Sequence, residues 1–104
     1  MNPELEKLIG TPRDGPLLRY SLGLRYVKAG DLPRAIEHLA LAVAGDPLYS
    51  AAWKAYGRAL ADAGRADEAL QAYRRGIEAA RTRGDKQAEK EMRVFLRRLE
   101  AAGG

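Results

Sequence analysis

His38 is the sole histidine of this chain, and no cysteine accompanies it. A lone imidazole with no apposed nucleophile makes no acyl-transfer set. One histidine and no cysteine also exclude an intrachain two-histidine metal site, a Cys-ligated zinc or iron–sulfur centre, a thiol nucleophile and a disulfide framework. No glycine-rich phosphate loop is present. The expectation is therefore no catalytic residue, no metal and no cofactor, with His38 on the exposed side of a helix near Glu37 and Arg34. The chemistry that remains is ionic. Lys54 and Arg58 stand one helical turn apart and point the same way, a spacing that could clamp one carboxylate or phosphate. The alternative is that both are solvated and pair with Asp62.

A second basic group lies further on. Between Arg74 and Arg98 there are nine Lys or Arg residues against four acids, so the excess charge of +4 resides in that quarter of the chain. Its candidate contact residues are Arg74, Arg75, Arg81, Arg93 and Arg97. Such a face can attract nucleic acid or an acidic partner, or it can be a solvated helix surface. Phe95 is the one aromatic residue in the region, which makes base stacking poor and nucleic acid an unfavoured partner.

These groups must be positioned by helices. The 104 residues suffice for one domain. Ala supplies 19 of them and Leu 14, a bias that favours helix over sheet. No uncharged run is long enough to span a bilayer, and nothing at the start reads as an export signal, so the cytoplasm is the expected compartment and no membrane partner is expected.

Compared with itself at an offset of 34, the sequence places Gly23 on Gly57, Ala29 on Ala63, Gly30 on Gly64 and Ala35 on Ala69. Ile36 with Leu70, Leu39 with Tyr73 and Val43 with Ile77 are conservative matches. Gly23 and Gly57 fall mid-helix, where glycine costs about 1 kcal/mol against alanine, and such a cost is tolerated where a neighbouring helix comes too close for a side chain. Each unit reads as helix, tight turn, helix. The expected helices are Pro16–Ala29, Leu32–Ala44 capped by Asp31, Ala51–Ala63 with Ser50 as N-cap, Ala66–Arg83 and Lys86–Ala101. A short amphipathic helix begins at Asn2-Pro3 with Leu5, Leu8 and Ile9, and Ala101 to Gly104 read as a frayed end. The divisions are 1–15, unit one at 16–49, unit two at 50–83, and a closing segment at 84–104 whose stripe is Met92, Phe95, Leu96 and Leu99.

The units resemble the tetratricopeptide repeat, whose pattern runs Trp-x-x-Leu-Gly-x-x-Tyr, then Ala-x-x-x-Phe, then Pro. Unit one supplies Leu22, Gly23, Tyr26, Ala35 and Pro47, with Arg19 in place of Trp and Leu39 in place of Phe. Unit two supplies Trp53, Gly57 and Ala69, with Tyr56, Leu60 and Tyr73 as substitutes and Arg81 where Pro would stand. The resemblance implies an all-α solenoid of antiparallel helix pairs, with a short N-terminal helix and a C-terminal capping helix. It implies a non-catalytic adaptor that holds a protein or peptide in a concave groove lined by the first helix of each unit.

Carried onto this sequence, the groove residues are Tyr20, Leu24, Lys28, Lys54, Arg58 and Asp62. Leu17, Val27, Ala51 and Ala61 stand around them, and the closing helix adds Asp85, Glu89, Met92 and Leu96. Leu18, Leu22, Tyr26 and Ala29 form the stripe facing the core, and Trp53 is a core residue. Tyr49 is expected to pack rather than to recognise. Co-chaperone members of the family grip a terminal carboxylate with Lys, Asn and Arg. The matching places here are Tyr20, Leu24, Ala55, Asp85 and Glu89, which are the wrong types for that task. Two units are fewer than the three such stacks usually need, so association of copies through an open end stays open as an expectation.

Overall fold

Proline and glycine set the helix ends. In the computed structural model, which describes residues 3–103, the helices are α1 (Pro3–Glu6), α2 (Pro16–Lys28), α3 (Leu32–Gly45), α4 (Ser50–Asp62), α5 (Ala66–Arg83) and α6 (Lys86–Gly103), with no strand among the described residues. Pro16 and Pro33 sit in first turns, where a missing N–H costs nothing. Gly30 and Gly64 take φ of +79° and +78°, the left-handed region that L side chains avoid, and turn the chain sharply after α2 and α4. Asp31 caps α3, its carboxylate accepting the Arg34 N–H at 3.2 Å.

Four details differ from the sequence expectation. Ser50 is the first residue of α4 rather than its cap: Tyr49 stands at the cap position with no side-chain cap hydrogen bond, and the Ser50 hydroxyl donates to Asp85 at 2.7 Å. Ala29 is the exposed C-cap of α2, not part of the core stripe. The last helix runs on to Gly103, so the chain is helical across most of the stretch expected to fray; Gly104 lies outside the described residues. Asn2 also lies outside them, and α1 is a single turn that ends before Leu8 and Ile9. The Tyr26 hydroxyl holds this turn by donating to Glu6.

Packing follows the repeat. Helix α2 lies against α3 and α4 against α5, while α3 packs on α4 and α5 on α6. Helices α2, α4 and α6 succeed one another on one side and touch, whereas α3 and α5 on the other side do not. The stack therefore closes on the α2–α4–α6 side, the inner face, and opens between α3 and α5. Its extents are 42 × 29 × 18 Å.

The core is made of close approaches. Leu22, Leu39, Leu60, Tyr73 and Met92 are the largest fully buried side chains. A Cβ at Gly23 would stand 2.6 Å from Leu39 Cγ, and one at Gly57 would stand 2.6 Å from Tyr73 Cε1. Gly76 repeats the device between α5 and α6, where a Cβ would meet Met92 Sδ at 2.5 Å and Trp53 Cβ at 2.7 Å. The ring of Tyr73 is fixed from its other side by Phe95, 5.8 Å between centroids, and burial pushes its hydroxyl up to about 12. Trp53 is buried, and its indole N–H donates to the Pro47 carbonyl at 2.8 Å. Gly57→Ala should accordingly lower the melting temperature. Overpacking against a fixed ring costs on the order of 1–3 kcal/mol, more than the roughly 1 kcal/mol of helix propensity regained. Thermal unfolding followed by circular dichroism measures it, and a higher melting temperature would refute the close-approach account.

Candidate functional site

The inner face begins on α2. Leu18, Leu22 and Tyr26 point into the core, so helical spacing turns Leu17, Tyr20, Leu24 and Val27 toward the opposite stripe. Leu17 is 69% exposed, Leu24 40% and Val27 36%. Lys28 extends the stripe and is also exposed. Tyr20 is half-buried because its ring leans on Tyr49, 5.0 Å between centroids and tilted at 48°. Tyr49 thus packs as expected and fixes the side of Tyr20.

The floor of this face comes from α4, and its charges are already engaged. Lys54 Nζ lies 3.0 Å from Glu91 Oε1 on α6, and Arg58 pairs with Asp62 at 3.4 Å. The two cations share a helix face but are drawn to separate carboxylates, so they do not converge on one vacant anion position. Arg58 and Asp62 are exposed, while Lys54 is half-buried beneath α6. Glu91 is the residue that the sequence left unassigned; its signal was position alone, on the α6 stripe that meets α4.

Helix α6 contributes to the face differently from expectation. Met92 is 0% exposed and fills the core against Gly76, so it lines no groove. Glu89 turns toward α5, pairing with Arg81 at 3.6 Å and with Arg93 at 2.9 Å. Leu96 is half-buried against the core, as are Phe95 and Leu99. Asp85 accepts the Ser50 hydroxyl and, at 3.1 Å, the Ala88 N–H, so one carboxylate both ties α4 to α6 and caps α6. The hydrogen bond from Ser50, then that from Ala88, holds its carboxyl below the ordinary value.

The basic residues separate into paired and free. Arg74 reaches Glu100 at 3.2 Å, Arg81 pairs with Glu78 at 3.0 Å, and Arg93 is held by Glu89. Arg97 is exposed on the outer side of α6 with Lys86 and Lys90. Arg75 lies over the Trp53 ring, 5.8 Å from its centroid. His38 is not on the exposed side of α3. It is half-buried and stacked on Tyr26 at 5.4 Å and 2°, with an Arg19 N–H donating to Nδ1 at 3.2 Å. Burial first and Arg19 second lower its pKa, which fits a neutral packing histidine. Arg19 is in turn anchored by Asp14 at 2.9 Å. Among the described residues no group of three or more His, Asp or Glu is placed to hold a metal.

A cleft of about 830 Å³ opens between α3 and α5, on the side opposite the expected groove. No sequence motif marked it. It exists because the outer helices do not touch and because their facing residues, among them Ala40, Ala44, Ala72 and Ala79, are small.

The Ser50–Asp85 contact sets the height of α6 over the inner face, and its removal has a defined pH signature. An acid whose pKa is lower folded than unfolded stabilises the fold fully above its unfolded value of 3.8 and loses that contribution as the pH falls through the lower folded value. Asp85→Ala should cost about 1 kcal/mol at neutral pH as a lost cap, with the deficit shrinking below pH 3.8. Urea unfolding of both chains across pH checks it; a deficit that grows with acidity would contradict the assignment.

Relatives share this architecture. A TPR repeat-containing protein of Pseudomonas aeruginosa is 52% identical over 98 residues, covering 94% of this chain and 93% of its own. The solution structure of a protein from Bordetella parapertussis superposes with a TM-score of 0.80 at 41% identity, covering 96% of this chain and 87% of that one. The crystal structure of a tetratricopeptide repeat domain protein from Salinibacter ruber gives 0.79 at 27% identity, covering 85% of this chain and 98% of its own. The tetratricopeptide repeat profile itself matches residues 20–84. With its interlocked helix pairs and its closing helix, the chain belongs to the tetratricopeptide repeat family.

Proposed function

We propose that this chain is a non-catalytic adaptor that holds one protein partner along its inner face, in the cytoplasm. Tetratricopeptide repeats generally mediate protein–protein interaction, and no helix among the described residues is long and apolar enough to cross a membrane. The observation that carries the proposal is the exposed apolar stripe of α2, where Leu17, Leu24 and Val27 share one helix face, whereas the other exposed large apolar residues, Ile9, Leu41 and Leu48, lie on other segments. These three apolar residues in helical register form a wall that water wets unfavourably and that a partner's apolar side chains would cover. Beside the wall lie the Lys54–Glu91 and Arg58–Asp62 pairs. Being already paired, they contribute orientation at the rim more than net attraction. The partner that fits is an amphipathic segment, apolar toward α2 and polar toward α4.

Leu17 and Leu24 are exposed, so charging them leaves the core intact. Affinity capture from source cells, with nuclease present, compares the wild-type chain with a Leu17→Asp, Leu24→Asp double variant. A protein recovered by the first and depleted about tenfold or more with the second is the expected result. Equal recovery by both would remove the inner face as the site, and material released by the nuclease would move attention to Lys86, Lys90 and Arg97.

A further inference from the structure

The outer cleft between α3 and α5 has a composition that the adaptor reading does not use. Its floor is aromatic: Trp53 and Tyr56 lie 6.1 Å apart, tilted at 49°. Its walls are short aliphatic side chains, and Pro47 and Leu48 close one end. Four charged side chains line it, namely Glu68, Arg74, Arg75 and Glu78. Three of them are satisfied from within the fold, by Arg65 at 2.7 Å, Glu100 at 3.2 Å and Arg81 at 3.0 Å respectively for Glu68, Arg74 and Glu78. Arg75 alone has no ion pair among the described residues. Its guanidinium carbon sits over the Trp53 ring, 5.8 Å from the centroid, a contact that restrains the side chain while its N–H groups remain able to donate.

We propose that this cleft is a second docking site, distinct from the inner face, for an acidic-aliphatic segment of a partner protein. One carboxylate of that segment is received by Arg75, and an adjacent aliphatic side chain is received by the alanine-lined trough over Trp53 and Tyr56. Charge complementarity selects the occupant. The cleft offers one cation without an ion pair among the described residues beside apolar surface, so a basic or uniformly polar segment would match neither. Buried aromatic and arginine anchors are also the groups around which binding energy concentrates in interfaces.

Trp53 is the sole tryptophan of the chain, so its emission reports on the cleft directly. The probe is a capped synthetic peptide with one glutamate among leucines; the control replaces that glutamate by glutamine. The intact chain should show a saturable change in emission with the glutamate peptide, complete below about 1 mM, and a response at least tenfold weaker with the control. Arg75 is exposed, and Arg75→Ala should weaken binding about tenfold with helical content unchanged. Ala44→Arg, at an exposed position on the opposite wall, should block the trough by bulk while keeping Arg75. The inner-face Leu17→Asp, Leu24→Asp variant should bind the peptide as the wild type does, which separates this site from the adaptor proposal. No saturable change, equal responses to the two peptides, or indifference to both cleft variants would overturn the inference. Emission that changes with protein concentration alone would also overturn it, assigning the cleft to a second copy of the chain.

Discussion

Three absent side chains determine how close the helices of this protein can come. At Gly23, Gly57 and Gly76 the neighbouring helix stands where a Cβ would be, against Leu39, Tyr73 and Met92. Packing at this distance makes a small core dense enough to hold a stack of only two helix pairs and a closing helix. It also fixes rotation. Once Gly23 must face α3, Leu18 and Leu22 go inward with it, and Leu17, Tyr20 and Leu24 have nowhere to turn but the inner face. The exposed α2 stripe, the surface proposed for recognition, is thus a consequence of the core and needs no separate specification.

The closing helix obeys the same constraint without obeying the repeat. Met92 enters the place opposite Gly76, and its stripe with Ala88, Phe95, Leu96 and Leu99 covers the end of the stack. The outer side of α6, by contrast, carries Lys86, Lys90, Arg93 and Arg97. A charged outer surface over an apolar inner one is how a solenoid ends without leaving a face for another unit. A third of the basic residues from Arg74 to Arg98 are then spoken for. Arg74, Arg81 and Arg93 are tied to Glu100, Glu78 and Glu89, leaving exposed cations that keep the terminus wet.

The offset of 34 made helices α2 to α5 legible almost to the residue, because matched glycines and alanines report contacts within each helix pair. It was silent wherever the third unit departs from the pattern. The apolar stripe marked Met92, Phe95, Leu96 and Leu99 as the covering face of α6, although Met92 was also expected in the groove; nothing in the spacing said that Glu89 would turn to α5 or that Glu91 would meet Lys54, since the register of α6 is set by the space above Gly76 and not by its own repeat. Ser50 has the type of a cap because serine usually caps, yet it stands one residue inside the helix, and its hydroxyl donates across the stack to Asp85. His38 looked exposed because it sits among charged neighbours in sequence; the ring of Tyr26, a turn of another helix, covers it. The outer cleft was invisible because it is made by two helices not touching, and a gap leaves no residue pattern.

The central claim of the proposed function is recognition on the α2–α4 side. The most direct measurement is the footprint of the captured partner on the isotopically labelled chain, read from backbone amide shifts residue by residue. The inner-face account requires the largest changes at Leu17, Tyr20, Leu24, Val27 and Arg58, with the outer side of α6 undisturbed. Changes concentrated at Lys86, Lys90 and Arg97, with the α2 stripe unmoved, would contradict it.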